Sequence, residues 1–308
     1  MSVTRTIALI GVPSSAGAHW PGQEKAPQYL RRAGLLERLT AGAPVVDQGD
    51  LPVVRFSPDR EHPRQQNLAR VVDIATQTAE QVEAALQRQA MPLVVGGDCT
   101  IALGVIAGFL RHDVDLGLLY FDGHIDLNTP ATSRSGILDS MGMAHLIGEE
   151  GVTEALSHIG PRFPLLSEDR IVAFGYNPAE MNEVEHEVLA RHPMLTYPLA
   201  QVQGRARDAA REALLQLERR LEGFVVHFDV DVIDFVDFPI ADVPQINAGL
   251  TFQEAMACLE VFVASPQFVG LSIAEINPDH ADEQGIVATT FVESLAHVFG
   301  VNRPEARG

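Results

Sequence analysis

The segment Tyr120-Phe121-Asp122-Gly123-His124-Ile125-Asp126 runs from an apolar stretch into three side chains that bind divalent cations. Asp122, His124 and Asp126 are spaced by two, and alternate residues of an extended chain point the same way. Two carboxylates and an imidazole converging on one point suit a divalent cation. Without one, carboxylates so close repel, and at least one is held protonated. The bland account of the same residues is a polar loop after a buried strand. A second segment, His227-Phe228-Asp229-Val230-Asp231-Val232-Ile233-Asp234, repeats the arrangement, with Asp229 and Asp231 on one face. It lacks the glycine and terminal glutamate of a calcium-binding EF-hand loop. Two strand ends that each bring carboxylates to one rim of a sheet are hard to explain structurally. Four aspartates and a histidine also exceed the needs of one cation. The pattern predicts a two-metal site, which generates and clamps a hydroxide nucleophile near neutral pH.

Two weaker segments accompany these. In Val94-Val95-Gly96-Gly97-Asp98-Cys99-Thr100 a glycine pair allows tight backbone geometry between a strand and a helix, and Asp98 reads equally as a cap. In Ser272-Ile273-Ala274-Glu275-Ile276-Asn277-Pro278 the carboxylate of Glu275 stands at a strand end, either to pair with a cationic substrate or simply to be solvated.

Elements must position these residues. Short apolar, β-branched runs recur at residues 7–12, 45–47, 93–95, 116–122, 171–174, 194–197, 224–229 and 268–273. Most are apolar on both faces, as parallel strands covered by helices are. Between them Leu68, Val71, Val72, Ala75, Ala79, Val82 and Leu86 recur at helical spacing. Residues 204–221 form a further helical stretch with Gly223 as its C-terminal cap, and Thr251 with Glu254 reads as a capping box before 255–263. The alternation predicts an α/β fold, a three-layer αβα sandwich with an about eight-stranded parallel sheet. Such sheets bind ligands at the carboxyl ends of their strands, where the acidic segments stand.

The chain has 308 residues and no linker, repeat or low-complexity tract, so residues 1–308 are expected to form one domain. An apolar fraction of 46% is enough for a sizeable core. A formal charge of -19 disfavours nucleic acid and anionic membrane surfaces as partners. No apolar run approaches the roughly 18 residues of a membrane span, and no secretory leader is seen. Two cysteines, Cys99 and Cys258, cannot form a disulfide framework, which fits a reducing, cytoplasmic compartment.

Taken in order, the four segments resemble the arginase–agmatinase (ureohydrolase) family, whose pattern is Gly-Gly-Asp-His, Asp-Ala-His-x-Asp, Asp-x-Asp-x-x-Asp and a late Glu-x-Asn-Pro. The resemblance extends to Gly11-Val12-Pro13-Ser14-Ser15-Ala16-Gly17, to Ala26-Pro27-Gln28-Tyr29-Leu30-Arg31, and to Asn128-Thr129-Pro130 with Ser135-Gly136, so it covers nearly the whole chain. It implies two Mn²⁺ ions bridged by Asp122 and Asp229. His124 and Asp231 would complete one position, and Asp126 the other, with Cys99 where the family has histidine. Asp126 would also accept a hydrogen bond from the hydroxide. Glu275 would hold a guanidinium by charge-assisted hydrogen bonds. Asn128 and Ser135 would hold the carboxylate of an amino-acid substrate. The implied reaction cleaves a guanidino C–N bond, and relatives are commonly trimers or hexamers, so a homo-oligomer is expected.

Three positions depart from the family. At Cys99 a thiolate is softer than imidazole: it ligates Mn²⁺, or it turns the site toward Zn²⁺ or another divalent metal, or one metal is lost and it is an inert buried thiol. Ligation is the favoured outcome. Cys99 also resembles the Nω-hydroxy-L-arginine amidinohydrolase branch, which supplies hydroxyurea for antibiotic biosynthesis. Asp139 falls where arginases carry a proton-shuttling histidine. A carboxylate does this only with a raised pKa, and a surface residue or helix cap is the alternative. Gly175 and Asn177 stand where arginases place two aspartates that recognise the α-amino group. Asn177 is expected to accept one hydrogen bond from an ammonium. The expected function is hydrolysis of Nω-hydroxy-L-arginine to hydroxyurea and ornithine. Other readings are an arginase or agmatinase acting on another guanidine, a catalytically silent metal-binding relative, and a deacetylase-like amide hydrolase, which two metals and Glu275 disfavour.

Overall fold

A computed structural model describes residues 5–112 and 116–300. Its frame is one sheet of eight strands, all parallel: β1 (Ile7–Gly11), β2 (Val45–Asp50), β3 (Met91–Val95), β4 (Leu116–Phe121), β5 (Ile171–Phe174), β6 (Leu195–Tyr197), β7 (Gly223–Asp229) and β8 (Phe268–Ala274). The three-layer α/β architecture expected from the alternation is therefore present. Every residue of β1, β3, β4, β5 and β7 is buried, which is why these runs are apolar apart from His227 and Asp229 near the end of β7. The edge strand β2 is largely exposed and carries Asp47, Gln48 and Asp50.

Alternate strand residues feed two cores, one on each face of the sheet. Leu119, Phe121, Val226, Phe228 and Ile273 pack with helices Ala206–Glu218, Phe252–Val263 and Ile286–Val298. Leu118, Tyr120, Val225 and Ala274 pack on the other face with Leu68–Gln87 and Ile101–Arg111. The expected capping box is formed: Glu254 N donates to Thr251 Oγ1 at 3.2 Å and Thr251 N to Glu254 Oε2 at 3.0 Å. One expected cap is not. The helix Ala206–Glu218 ends earlier than 204–221, with Arg219 as its cap, and Gly223 opens β7 by pairing with Leu116. Glycine there serves the sheet edge of a strand rather than the end of a helix.

The strand order is β2-β1-β3-β8-β7-β4-β5-β6. It sets β3, β8, β7 and β4 side by side, and these strands lead into the four polar segments. Val95 opposes Ile273, Ile273 opposes Phe228, and Phe228 opposes Phe121. Gly96, Ala274, Asp229 and Asp122 therefore form the next row, at the carboxyl rim. No helix among the described residues is long and apolar enough to cross a membrane.

Candidate metal centre

The rim gathers residues that are far apart in the chain. Asp122, Asp229, Asp231 and Glu275 are each no more than 2% exposed, and Asp126 and Cys99 are buried beside them. A cleft over the rim is lined by Cys99, His124, Asp126, Asp139, Asp229 and Asp231, with Glu275 at its floor and Asn128 on its wall. Among the described residues, no lysine or arginine lines it.

The acids converge by a route other than simple alternation. The chain bends at Gly123 and His124, and Asp126 takes a left-handed φ of 53°, so residues 122–126 are not extended. Asp229 and Asp231 are joined by a turn of 3-10 helix, in which Asp231 N donates to Asp229 Oδ1 at 2.7 Å. Glu275 also has a positive φ, 66°. Non-glycine residues held in this region store on the order of 1–3 kcal/mol each, and they concentrate where a side chain must be aimed. Asp234 is not in the cleft lining and accepts from Val236 N at 2.9 Å.

Two groupings of donor atoms share Asp122. One holds Asp122, His124 and Asp231, the other Cys99, Asp122 and His227; within each, the ligand atoms lie within 4.8 Å of one another. His124 Nδ1 lies 2.8 Å from Asp231 Oδ2, and its Nε2 lies 2.9 Å from Gln245 Nε2. The Cys99 thiol donates to Asp229 Oδ2 at 2.7 Å and lies 3.8 Å from Asp122 Oδ2. Tyr120 Oη donates to Asp126 Oδ2 at 2.5 Å and so orients that carboxylate.

Electrostatics follow from burial and crowding. Burial, and then the neighbouring Asp229, Asp126 and Asp231, push the Asp122 carboxyl well above the usual carboxylate range. Burial and Asp231 raise Asp229 in the same way. Burial, Asp229 and Asp122 push the Cys99 thiol up. Burial raises Asp126 to about 7 against the hydrogen bond from Tyr120, which lowers it. Burial pulls the His124 imidazole down, but the Asp231 charge and hydrogen bond, with Asp126 and Asp229, outweigh it and carry it to about 10. So much crowded acid, met in the lining among the described residues only by the His19 and His124 imidazoles, is the environment that divalent cations relieve. The oxygen, nitrogen and sulfur donors present fit a metal pair.

The glycine pair before Cys99 earns its place by geometry. Gly96 and Gly97 have φ of 93° and 92°, and a Cβ on Gly96 would lie 2.6 Å from Pro27. Asp98 is a strut rather than a ligand: its Oδ2 accepts from Gly17 N at 2.9 Å and its Oδ1 from Thr100, tying the opening segment to the turn that carries Cys99.

Asp139 is buried, not on the surface; its Oδ1 accepts from Cys99 N at 2.6 Å. Burial, then Asp98 and Asp126, hold its carboxyl well above the usual range. Asn128 lines the cleft and accepts from Asn182 Nδ2 at 3.1 Å. Ser135 and Asn177 are not among the lining residues. Ser135 Oγ lies 3.3 Å from Ser133 Oγ, and its carbonyl accepts from Gln66 Nε2. Asn177 builds a turn: Ala179 N donates to its Oδ1 at 3.1 Å, and Glu180 N to its carbonyl at 3.0 Å. That turn sets Glu180 in the lining, with Asn182 and Glu185 behind it. The Asn182–Glu185 capping box was a readable signal for the start of the helix Glu183–Arg191, though not for its place at the cleft. Sequence reasoning also missed Gln23, whose Nε2 donates to Glu275 Oε2 at 2.5 Å. Nothing local marks a contact between residues 252 apart.

Comparison with known proteins bears on the same site. A family model described as the Arginase family matches residues 5–299. The arginase of Bacillus caldovelox is 30% identical over 301 residues, covering 96% of this chain and 98% of that one. The arginase of Brevibacillus brevis is also 30% identical, over 97% of this chain and 99% of that one. The solved structure of the Bacillus caldovelox arginase superposes with a TM-score of 0.88 at 29% identity, covering 96% of this chain.

Proposed function

The chain belongs to the arginase family of metal-dependent amidinohydrolases, and from that membership we propose that it hydrolyses the guanidino C–N bond of a linear guanidino amino acid, foremost Nω-hydroxy-L-arginine, to ornithine and hydroxyurea. The observation that carries the choice of substrate is Cys99, buried among the carboxylates and 2.7 Å from Asp229. As thiolate it adds negative charge to the centre and makes it a weaker Lewis acid. A hydroxyguanidine is less basic than a guanidine and tolerates the weaker centre.

In this reading Asp122 and Asp229 would be shared by two cations, His124 and Asp231 would help hold one of them, and Asp126 and Cys99 the other. Mn²⁺ is the expected metal for the oxygen-rich position, and Zn²⁺ or another divalent ion is admitted by the sulfur. Two divalent ions held there would supply hydroxide near neutral pH. The protein supplies the rest. Gln23 engages Glu275 Oε2, leaving Oε1 buried and without a partner. That oxygen receives the guanidino N–H groups and holds the carbon in place for attack. Asp126, fixed by Tyr120, takes a hydrogen bond from the nucleophile. Asp139, its carboxyl pushed up by burial, is the group placed to deliver a proton to the departing amine. At the far end of the cleft Asn128 meets the substrate carboxylate, while Glu180 and Glu185 supply negative charge for the α-ammonium.

A second reading, L-arginine itself, is favoured by the names of the relatives and by those same acids. The deciding experiment incubates Mn²⁺-loaded protein with L-arginine, Nω-hydroxy-L-arginine, agmatine and 4-guanidinobutyrate and quantifies the amine products by mass spectrometry. Preferred turnover of hydroxyarginine, diminished in Cys99→His, sustains the proposal. Preference for L-arginine, or a Cys99→His variant with unchanged selectivity, overturns it.

A further inference from the structure

His227 has no role in the reaction just derived, yet it is wholly buried one step below Asp229 on β7. Residues 225, 227 and 229 share the face of the strand that looks toward Cys99, by the two-residue alternation of a strand. The ring packs against Tyr120 at 4.8 Å between centroids. Its Nδ1 lies 2.9 Å from Oγ of Ser272, the residue directly opposite it on β8. Its Nε2 lies 3.3 Å from Cys99 Sγ. Histidines that bind metals are anchored in this way, one ring nitrogen held by a hydrogen-bond partner and the other turned to the ion.

We propose that His227 is a direct ligand of the metal pair through Nε2, so that the half of the centre beside Cys99 is a sulfur–nitrogen position for a thiophilic ion while the half at His124 is a nitrogen–oxygen position for manganese. The inference rests on the reading that Cys99 ligates metal.

Spacing supports it. A metal with bonds of about 2.3 Å to sulfur and about 2.0–2.1 Å to nitrogen separates those two atoms by roughly 3.1–3.6 Å, for angles between square and tetrahedral. The observed separation is 3.3 Å. Asp122 Oδ2 stands 3.8 Å from the same sulfur, and the three donors fall within 4.8 Å of one another. The two halves thus differ in softness: thiolate and imidazole select zinc-like ions, and carboxylates with one imidazole suit manganese. A hydrogen bond from the thiol to Nε2, with no metal contact, is the structural alternative.

The test uses the full chain carrying ¹⁵N-labelled histidine and loaded with ¹¹³Cd²⁺. The expected result is two cadmium resonances. One, shifted downfield by thiolate, is scalar-coupled to an Nε2 nitrogen. The other is coupled to an Nδ1 nitrogen, that of His124. The ring position of each coupled nitrogen separates the two histidines without mutation, so a variant that fails to fold is no obstacle. A downfield resonance lacking nitrogen coupling overturns the role of His227 and leaves Cys99 a ligand. Absence of any downfield resonance overturns both. Loading with equal Zn²⁺ and Mn²⁺ is expected to yield one of each per chain by elemental analysis, and Ser272→Ala to weaken zinc retention about 10–100-fold. Two equivalent manganese ions retained in that competition also refute the asymmetry.

Discussion

Restoring a carboxylate at residue 175 is the sharpest test of why this cleft lacks the paired aspartates expected of an arginase. Gly175 follows β5 with φ of 96°, and a Cβ there would lie 2.6 Å from Val232 Cγ2 and 3.2 Å from the Phe121 ring. Both neighbours are wholly buried, in the core on the sheet face opposite Cys99 and Tyr120. A side chain at 175 therefore enters packed hydrocarbon instead of meeting substrate. For Gly175→Ala, the left-handed backbone costs about 1–2 kcal/mol. Overpacking adds about 1–3 kcal/mol, or about 2–5 kcal/mol in all. Against a total stability of about 5–15 kcal/mol this is a large fraction. At roughly 2–4 °C per kcal/mol, thermal unfolding should fall by about 4–20 °C. Gly175→Asp should fare worse, since its carboxylate is buried unpaired. Calorimetry on both variants, with KM for L-arginine on whatever folds, checks the argument. An alanine variant melting within about 1 °C of wild type, or an aspartate variant that folds and lowers KM for L-arginine, would refute it.

Glu180 sits at the exposed mouth of the cleft. Glu180→Gln should raise KM for substrates with an α-ammonium about two- to fivefold, the scale of a solvent-exposed charge pair, and leave kcat unchanged. 4-Guanidinobutyrate, which lacks the ammonium, should be unaffected in the same steady-state assay. Metal removal by dialysis against a chelator should lower the melting temperature, because each site filled at 100 times its Kd contributes about 2.7 kcal/mol. Restoration by Mn²⁺, followed calorimetrically, is the expected outcome, and identical melts with and without metal would contradict a bound pair. His192 lies between Glu168 and Glu149; burial lowers its imidazole, but the hydrogen bonds and charges of the two glutamates outweigh it and raise it above 6.5. A group raised on folding stabilises fully below its unfolded value and loses that contribution as pH climbs through the folded one. Wild-type melting should therefore decline from about pH 6.5 upward, and His192→Asn should show a flatter profile. Parallel profiles would show that the imidazole charge contributes nothing.

Several features were legible because they are local. Largely apolar runs such as 116–122 and 224–229 read as buried strands, since a strand covered on both faces is apolar along most of its length. Thr251 and Glu254 marked a helix start because a capping box spans only four residues. Donor types following those runs pointed to metal chemistry, because carboxylate, imidazole and thiolate carry their affinities wherever they stand. Gly223 was misread because a glycine after a helical run serves a strand start as well as a helix end.

What no local pattern carries is adjacency. The order β3-β8-β7-β4 brings four segments to one rim, and it is set by how the crossover helices cover the sheet. His227 could be assigned to the Asp229 face from the two-residue alternation, but its partners, Ser272 and Cys99, depend on strand neighbours 45 and 128 residues away. Glu180 lines the cleft and Asn177 does not, because a side chain–backbone turn only three residues long decides which of them reaches it. The chemistry of the donors was written in their side chains; which of them can share one ion was decided by packing, because the distances that make a ligand set are distances between strands, not along the chain.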